Sequence, residues 1–280
     1  MPTIDLNCDM GELPEAIADG TQEALLRCVT SANVACGGHA GDAQTMRATF
    51  EQALRAGVAV GAHPGYPDRA NFGRVELKMA PEALADSVSE QVRALAEIAV
   101  ACGARLAHVK PHGALYNQAV RDPALAKAIA QGVANAVGRN PRAHPESSEE
   151  SAFLPNTSED WRKDVVLVGL AGSPMLDVFR QAGFPVAAEA FADRRYERDG
   201  TLRSRKVDDA LIHDPAEAAR QALSIAQRGV VAAYDGTEVR LTAQTICIHG
   251  DTPGAPKIAA AVAQVLRHAG VVLTSLKSAK

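Results

Sequence analysis

The amino-acid sequence predicts an α/β protein whose parallel strands close into a TIM-like (β/α) barrel. Strand-like apolar segments alternate with helix-like segments of ten or more residues, which indicates βα units and a parallel sheet. About seven or eight such units fit into 280 residues, which favours a closed barrel over an open doubly wound sheet. No Gly-x-Gly-x-x-Gly follows the first strand, which counts against a dinucleotide-binding fold. We therefore expect one (β/α) barrel domain over 1–280.

Four predicted strands and their helices occupy the first half of the chain. The strands lie at 4–9, 31–36, 58–63 and from 106 onward, and helices follow at 21–29, 43–56, 81–102 and 123–137. Asp42 is a preferred side chain for a helix N-cap, and Pro81 is favoured in a first helical turn. Glycines lie in the strand-to-helix connections and allow the backbone to approach a ligand closely.

Three more strands are predicted in the second half, at 165–170, 185–191 and 245–249. The segment 165–170 is almost continuously apolar, as expected of a strand that is covered on both faces. Helices are predicted after Pro174, at 215–228 and at 255–269. The last apolar segment, 271–276, either closes the barrel or packs outside it.

Two irregular segments interrupt the βα rhythm. The segment 138–163 is rich in Pro, Ser and Glu and runs from a helix to a strand, so we expect a mobile surface insertion on the face opposite the active site. The segment 192–213 follows a strand and so lies on the catalytic face. It is either a lid or anion clamp or a solvated charged loop. Its basic residues are Arg194, Arg195, Arg198, Arg203, Arg205 and Lys206.

Composition excludes several classes of function. The net charge of −4 and the aromatic content of 4% argue against a nucleic-acid partner. No apolar run approaches the roughly 20 residues that span a bilayer, so we expect no membrane association. We expect a cytoplasmic protein with reduced thiols, because no signal peptide is visible and the five cysteines are scattered.

The fourth strand places three ionisable side chains on one face. Side chains alternate along a strand, so His108, Lys110 and His112 point the same way. Such a row is costly to bury against an apolar core. It is therefore expected to face a polar cavity to which other strands contribute.

Polar residues recur where the predicted strands end. The carboxyl ends of the strands and the loops after them form the active site of parallel barrels. A single polar residue at such a place is more often a cap or a packing residue, but six of the seven strand ends here carry a charge or an imidazole. The set is Asp5, Asn7, Asp9, Glu12, Asn33, His39, Asp42, His63, Asp68, His108, Lys110, His112, Asn117, Glu189, Asp193, Arg194, His249 and Asp251. We predict a catalytic site there.

These residue types suit acid–base chemistry. Asp and His can act as general base and acid, and a lysine can stabilise an oxyanion. A divalent metal is conceivable, with Asp9, His39 and His63 as its ligands, but no His-x-x-x-His spacing is present, so the ligands would converge from several strands. Cys36 could be a nucleophile, although packing is the favoured interpretation. No Gly-x-x-x-x-Gly-Lys-[Ser/Thr] announces a P-loop for ATP.

Five sequence blocks resemble the LamB/YcsF family, which supplies one of the chains of bacterial ATP-dependent 5-oxoprolinase, its A component. They are Asp-Leu-Asn-Cys-Asp-Met-Gly-Glu at 5–12, Ala-Asn-Val-Ala-Cys-Gly-Gly-His-Ala-Gly-Asp at 32–42, Gly-Ala-His-Pro-Gly-Tyr-Pro-Asp at 61–68, Val-Lys-Pro-His-Gly-Ala-Leu-Tyr-Asn at 109–117 and Ile-His-Gly-Asp at 248–251. The resemblance implies a seven-stranded barrel of the glycoside hydrolase/deacetylase type. It also implies hydrolysis of 5-oxo-L-proline to L-glutamate, ATP as co-substrate of the assembled complex, and two partner subunits, B and C.

Residue roles follow as hypotheses from this resemblance and the residue chemistry. Catalytic candidates are Asp5, Asp9, His39, His63, Lys110 and His112. Substrate-binding candidates are Asn7, Glu12, Asn33, Asn117, Glu189, Arg194, His249 and Asp251. We expect His108 to anchor Lys110. Two alternatives remain open: a stand-alone metal-dependent amide hydrolase or deacetylase, and a non-catalytic subunit that binds 5-oxoproline.

Overall fold

The structure, a computed structural model, describes residues 1–137 and 161–276. Its strands are β1 (Thr3–Met10), β2 (Ser31–Ala35), β3 (Ala59–His63), β4 (His108–Val109), β5 (Val166–Leu170), β6 (Val186–Phe191), β7 (Val230–Ala232), β8 (Glu238–Arg240), β9 (Thr245–Ile248) and β10 (Val272–Leu273). Seven of them pair in parallel in the order β1-β2-β3-β4-β5-β6-β9, and β9 pairs again with β1. The predicted seven-stranded closed barrel is confirmed.

The helices pack around this barrel. They are α1 (Pro14–Ala18), α2 (Thr21–Leu26), α3 (Ala43–Arg55), α4 (Pro81–Ala101), α5 (Gly113–Ala119), α6 (Pro123–Val137), α7 (Met175–Gln181), α8 (Pro215–Arg228) and α9 (Ala255–His268). α4 buries Leu84, Val88 and Val92, which recur every four residues and so form one apolar face. Asp42 caps α3 as predicted, because its side chain accepts from two backbone N–H groups.

The register of β1 aligns polar residues from neighbouring strands. Asp9 of β1 lies opposite Asn33 of β2, and Asn33 lies opposite Gly61 of β3, which faces His108 of β4. Because parallel strands in this register point their side chains to the same side, these residues project into the barrel together.

Several elements differ from the sequence-based predictions. β10 pairs only with Thr3 and Ile4 at the start of β1, so the segment 271–276 does not close the barrel. The short antiparallel pair β7–β8 and the helix α5 were not predicted. The predicted insertion 138–163 falls outside the described residues, except that 161–163 begin a 3-10 helix, Trp161–Asp164. Within the described ranges, no helix has the length and apolarity to cross a membrane.

Gly61 provides the space for the His108 imidazole. A Cβ atom placed on Gly61 would lie 2.2 Å from Cδ2 of His108. We expect Gly61→Ala to lower the free energy of unfolding by about 1–3 kcal/mol, the usual cost of overpacking a core. Urea unfolding measures this change. In a double-mutant cycle with His108→Ala, the combined loss should be smaller than the sum of the single losses, because removing the imidazole removes the clash. Additive losses would contradict this packing account.

Candidate active site

Asp5 lies deep in the barrel and is bound by hydroxyl groups. Its Oδ1 accepts hydrogen bonds from the hydroxyls of Thr30 at 2.7 Å and Ser31 at 2.6 Å, and its Oδ2 accepts from Thr245 at 2.5 Å. Burial raises the pKa of Asp5, although these hydroxyls oppose the effect. Asp5 thereby holds β1, β2 and β9 together, four residues before Asp9 along β1 and away from the carboxyl ends of the strands.

A chain of amide and imidazole groups crosses the barrel above Asp5. Asn33 Nδ2 donates to Asn7 Oδ1 at 2.7 Å and to Asp9 Oδ1 at 2.8 Å. Asn33 Oδ1 lies 2.7 Å from His108 Nε2. His108 therefore anchors Asn33, and the expectation that it anchors Lys110 is wrong. Burial, with the nearby Lys110 charge, lowers the pKa of His108 to about 3, so its ring is neutral.

Lys110 is at the centre of what we term the strand-end cluster: Asp9, His63, Lys110, Glu189 and His249. Its ammonium group lies 2.9 Å from Asp9 Oδ1 and 3.0 Å from Glu189 Oε1. The side chain is 3% exposed. Burial alone would lower the pKa of Lys110, but the charge of Asp9, aided by Glu189, raises it well above its ordinary value. Lys110 is therefore a fixed cation held between two carboxylates.

Asp9 is a carboxylate with two different neighbours. One oxygen accepts from Lys110 and Asn33, and Oδ2 lies 3.4 Å from His63 Nε2. Burial opposes ionisation, yet the charges of His63 and Lys110 hold the pKa of Asp9 well below its usual range. Burial likewise disfavours charge on His63, but Asp9 raises the pKa of His63. Asp9 and His63 together can accept and pass on a proton.

A group of imidazoles adjoins Asp9. His39 stacks on His112 with ring centroids 3.6 Å apart, and His63 lies edge-on to both. Glu12 Oε1 lies 2.9 Å from His39 Nε2 and 3.2 Å from His112 Nδ1. Burial lowers the pKa of His39 to about 4 and also lowers the pKa of His112. Burial opposes ionisation of Glu12, yet its contacts with His112 and His39 lower the pKa of Glu12.

The opposite wall is formed by β6, β9 and α5. Asp193 accepts from the backbone N–H and from Nδ1 of His249, both at 2.9 Å, and His249 stacks on Phe191. Burial raises the pKa of Asp193, but the charge of His249 outweighs it and the pKa is lowered. Burial raises the pKa of the Tyr116 hydroxyl well above its ordinary value, and the neighbouring Glu189 carboxylate adds to that rise. Tyr116 and Glu189 therefore interact at this wall of the site.

Charged side chains surround Asp251, which follows β9 at the carboxyl ends of the strands, and we term this region the entrance. Asp251 pairs with Arg74 and lies 3.8 Å from Arg205, which comes from the 192–213 segment. Arg194 is buried and donates to the backbone oxygen of Arg203 at 2.6 Å. Burial, together with the charge of Arg205, lowers the pKa of Arg194 to about 10.

The 192–213 segment is an ordered, folded loop. Tyr196 is fully buried, and its hydroxyl accepts from the backbone N–H of Phe191 at 2.7 Å. The exposed Arg198 pairs with Asp235, on the molecular surface, whereas Arg194 and Arg205 lie beside the entrance. The segment therefore combines surface ion pairs with two arginines that face the site.

The structure brings most predicted site residues together, with clear exceptions. Asn117 is exposed on α5 and makes no hydrogen bond with the strand-end cluster in the described part of the chain, so the structure does not bring it to that cluster and its role in binding stays a prediction. Asp68 caps the 3-10 helix Arg69–Asn71. The proposed metal ligands are grouped differently: His39 and His63 lie with Glu12 and His112, while Asp9 lies with Cys247 and His249.

Sequence reasoning missed Cys247, Thr245 and Tyr116. Cys247 Sγ accepts from Lys110 Nζ at 2.9 Å. Thr245 and Cys247 alternate with His249 along β9, so the same two-residue periodicity that singled out β4 would have found them. No comparable signal marks Tyr116, because its orientation depends on α5.

A closed parallel barrel with charged residues at the carboxyl ends of its strands has the architecture of a barrel enzyme. A model of the LamB/YcsF family matches residues 4–142 and 146–280. The chain is 50% identical over 273 residues to the A component of 5-oxoprolinase from Chloroflexus aggregans, covering 98% of each chain. It is 46% identical to the A component of 5-oxoprolinase from Bordetella pertussis, covering 97% of this chain and 98% of the relative.

A solved structure agrees with these relatives. The crystal structure of a lactam utilization protein from Thermus thermophilus superposes with a TM-score of 0.81 at 41% sequence identity. The superposition covers 98% of this chain and 99% of the other. The chain belongs to the LamB/YcsF family.

Proposed function

We propose that this chain is the catalytic subunit of an ATP-dependent 5-oxoprolinase, which hydrolyses the lactam of 5-oxo-L-proline to L-glutamate. Full-length relatives named as the A component of 5-oxoprolinase support the substrate and the reaction. The observation that carries the catalytic assignment is the buried Asp9–Lys110–Glu189 cluster at the carboxyl ends of the strands. A fixed cation between carboxylates is suited to stabilise charge that develops on a reacting amide.

The chemistry of a lactam explains the need for ATP. The amide is stabilised by resonance and its nitrogen is a poor leaving group. Transfer of the γ-phosphoryl group of ATP to the lactam oxygen would make the carbonyl carbon more electrophilic, so that water can attack it. The C–N bond then breaks as the nitrogen takes up a proton, and a second water releases phosphate from the γ-carboxyl phosphate. Glutamate, ADP and phosphate are the products.

The geometry suggests a role for each member of the cluster. Asp9 Oδ2 is the base that takes a proton from the attacking water, and His63, 3.4 Å away, relays that proton. Lys110 stabilises negative charge on the lactam oxygen. The buried Glu189 carboxylate is suited to accept a hydrogen bond from the lactam N–H, and the Tyr116 hydroxyl beside it is suited to donate one to the lactam oxygen. Asp5 keeps the strands together and takes no direct part.

The substrate carboxylate is assigned to the arginines of the entrance. The guanidinium of Arg205 lies 3.8 Å from Asp251, which is beyond hydrogen-bond distance. Arg205 is therefore incompletely paired and can donate hydrogen bonds to an incoming anion. We expect Arg205→Ala to raise KM for 5-oxoproline about 10- to 100-fold, the usual cost of a lost hydrogen bond to a charged group. Arg198→Ala is the matched control, because Arg198 pairs with Asp235 on the surface. Steady-state kinetics of the complex measure both, and equal KM values would exclude this role for Arg205.

Partners and location belong to the same proposal. The names of the relatives describe them as subunits, which supports association with other chains, and we propose the 5-oxoprolinase subunits B and C. ATP enters as a co-substrate of that complex. A cytoplasmic setting fits the five cysteines, all of which are unpaired in the structure.

Reconstitution tests this function and separates it from the two alternatives. The chain is assayed for glutamate and ADP with 5-oxoproline, with and without subunits B and C and ATP. We expect glutamate only in the complete mixture, with one ADP formed for each glutamate. Glutamate release by the chain alone without ATP would favour a stand-alone amide hydrolase. Glutamate formation by subunits B and C in the absence of this chain would show that this chain is not the catalytic subunit and would favour the binding-subunit alternative.

A further inference from the structure

Two histidines beside Asp9 have their tautomers fixed by the backbone. His63 Nδ1 lies 2.7 Å from the backbone oxygen of Lys110, and His112 Nε2 lies 2.9 Å from the backbone oxygen of Phe72. A carbonyl oxygen can only accept a hydrogen bond, so each of these nitrogens carries a hydrogen. In the neutral rings, His63 Nε2 and His112 Nδ1 therefore both carry a lone pair.

These two lone pairs face each other and a carboxylate. His63 Nε2 and His112 Nδ1 are 3.0 Å apart. Glu12 Oε1 lies 3.2 Å from His112 Nδ1 and 3.9 Å from His63 Nε2. All three atoms are acceptors, and all three residues are buried. With both rings neutral, three acceptors that converge in this way repel one another unless a proton or a metal cation lies among them.

The spacing agrees with a bound divalent ion. Nitrogen and oxygen ligands bind Zn²⁺ at about 2.0–2.2 Å, so in tetrahedral coordination they lie roughly 3.4 Å apart. The three separations of 3.0, 3.2 and 3.9 Å scatter around that value. Metal-ligating histidines usually donate their second N–H to a backbone carbonyl or carboxylate, as His63 and His112 do.

The surrounding chain is built to keep this arrangement. A Cβ atom on Gly65 would lie 2.8 Å from His39 Nδ1, and one on Gly73 would lie 3.1 Å from His112 Cδ2. The side chain of Gln91 donates to the backbone oxygen of Gly65 and accepts from its N–H, which fixes that turn. The stacked imidazoles fit only because both positions lack a side chain.

We propose that His63 Nε2, His112 Nδ1 and the Glu12 carboxylate bind one divalent transition-metal ion of the Zn²⁺ type. His39 Nε2, 2.9 Å from Glu12 Oε1, donates to that carboxylate and positions it. The imidazole-rich donor set selects zinc and its neighbours over Mg²⁺ or Ca²⁺. The ion would lie next to Asp9, whose Oδ2 is 3.4 Å from His63 Nε2. In the ion-bound chain His63 Nε2 is a ligand and does not relay the proton, which then stays on Asp9, but the proposed lactam hydrolysis itself does not depend on the site.

Metal binding is tested on the purified chain without reference to activity. The chain is stripped with a chelator, dialysed and titrated calorimetrically with Zn²⁺ and separately with Mg²⁺. We expect one equivalent of Zn²⁺ and no comparable uptake of Mg²⁺. Glu12→Gln and His112→Gln should each weaken Zn²⁺ binding more than about 10- to 100-fold, the range seen when only an outer-shell partner is lost. His268→Gln, on the exposed end of α9, is the matched control and should bind as the unaltered chain does.

Cobalt substitution locates the ion even if a variant fails to fold. Co²⁺ bound by nitrogen and oxygen gives visible ligand-field bands without a thiolate charge-transfer band. A thiolate band would place the ion at the second cluster, Asp9, Cys247 and His249, and would overturn the assignment. Uptake of less than one equivalent, or equal affinity in Glu12→Gln, His112→Gln and His268→Gln, would also overturn it. A shared proton between His63 and His112 would then explain their approach.

Discussion

Replacing Lys110 with methionine is expected to lower turnover of 5-oxoproline by about 100-fold or more, which is the usual loss of rate when one oxyanion donor is removed. Methionine retains the length and apolar stem of the lysine but removes the ammonium group that lies between Asp9 and Glu189. The lactam oxygen then loses its only proposed cationic partner within the strand-end cluster. The loss should appear in kcat, because Lys110 stabilises charge that develops in the transition state.

The control for Lys110→Met must separate chemistry from folding. Removing the ammonium leaves two buried carboxylates without their shared cation, so stability should fall as well. Thermal unfolding and assembly with subunits B and C are therefore measured beside the rate. Lys127→Met, on the exposed surface of α6, is the matched control and should keep full activity. A folded, assembled Lys110→Met complex with near-normal kcat would remove Lys110 from the mechanism.

Asp9→Asn is expected to lower kcat by about 100-fold or more, in the range of a lost general base. An amide keeps the shape of the carboxylate and can still accept from Lys110 at Oδ1, but it cannot take the proton of the attacking water. Binding of 5-oxoproline should change little, because Asp9 is assigned to the water. The kinetic signature is a reduced kcat with KM within a few-fold of the original, measured by glutamate release.

Asp5→Asn separates the two aspartates that the sequence could not rank. Its carboxylate accepts from the hydroxyls of Thr30, Ser31 and Thr245, so the amide should cost about 1–3 kcal/mol of stability through one poorly matched donor. Activity per folded complex should remain. Loss of kcat in the Asp5→Asn variant, together with an unchanged kcat in the Asp9→Asn variant, would reverse the assignment.

The barrel and the inner face of β1 could be predicted because both depend on local periodicity. Alternation of βα units indicated the fold class, and alternation along β1 placed Asp5, Asn7 and Asp9 on one face. The same rule put His108 and Lys110 on the inner face of β4. Their burial at this face is confirmed. Their chemical roles stay predictions.

The remaining features depend on contacts between distant parts of the chain. Whether β9 or the final segment closes the barrel is decided by pairing with β1, more than 230 residues away. His108 binds Asn33 because register aligns β2, β3 and β4. Helix α5 begins immediately after His112, and its phase turns Tyr116 inward and Asn117 outward. Neither register nor helical phase is visible in short motifs.

The central claim, that the lactam is opened in the barrel of this chain, is tested most directly by a complex in which only this chain is altered. Unaltered subunits B and C are assembled with the chain carrying both Asp9→Asn and Lys110→Met, and glutamate release is measured at saturating 5-oxoproline and ATP. The account predicts an assembled complex whose glutamate release is lower by about 100-fold or more. Glutamate release at the unaltered rate would place lactam opening in another subunit.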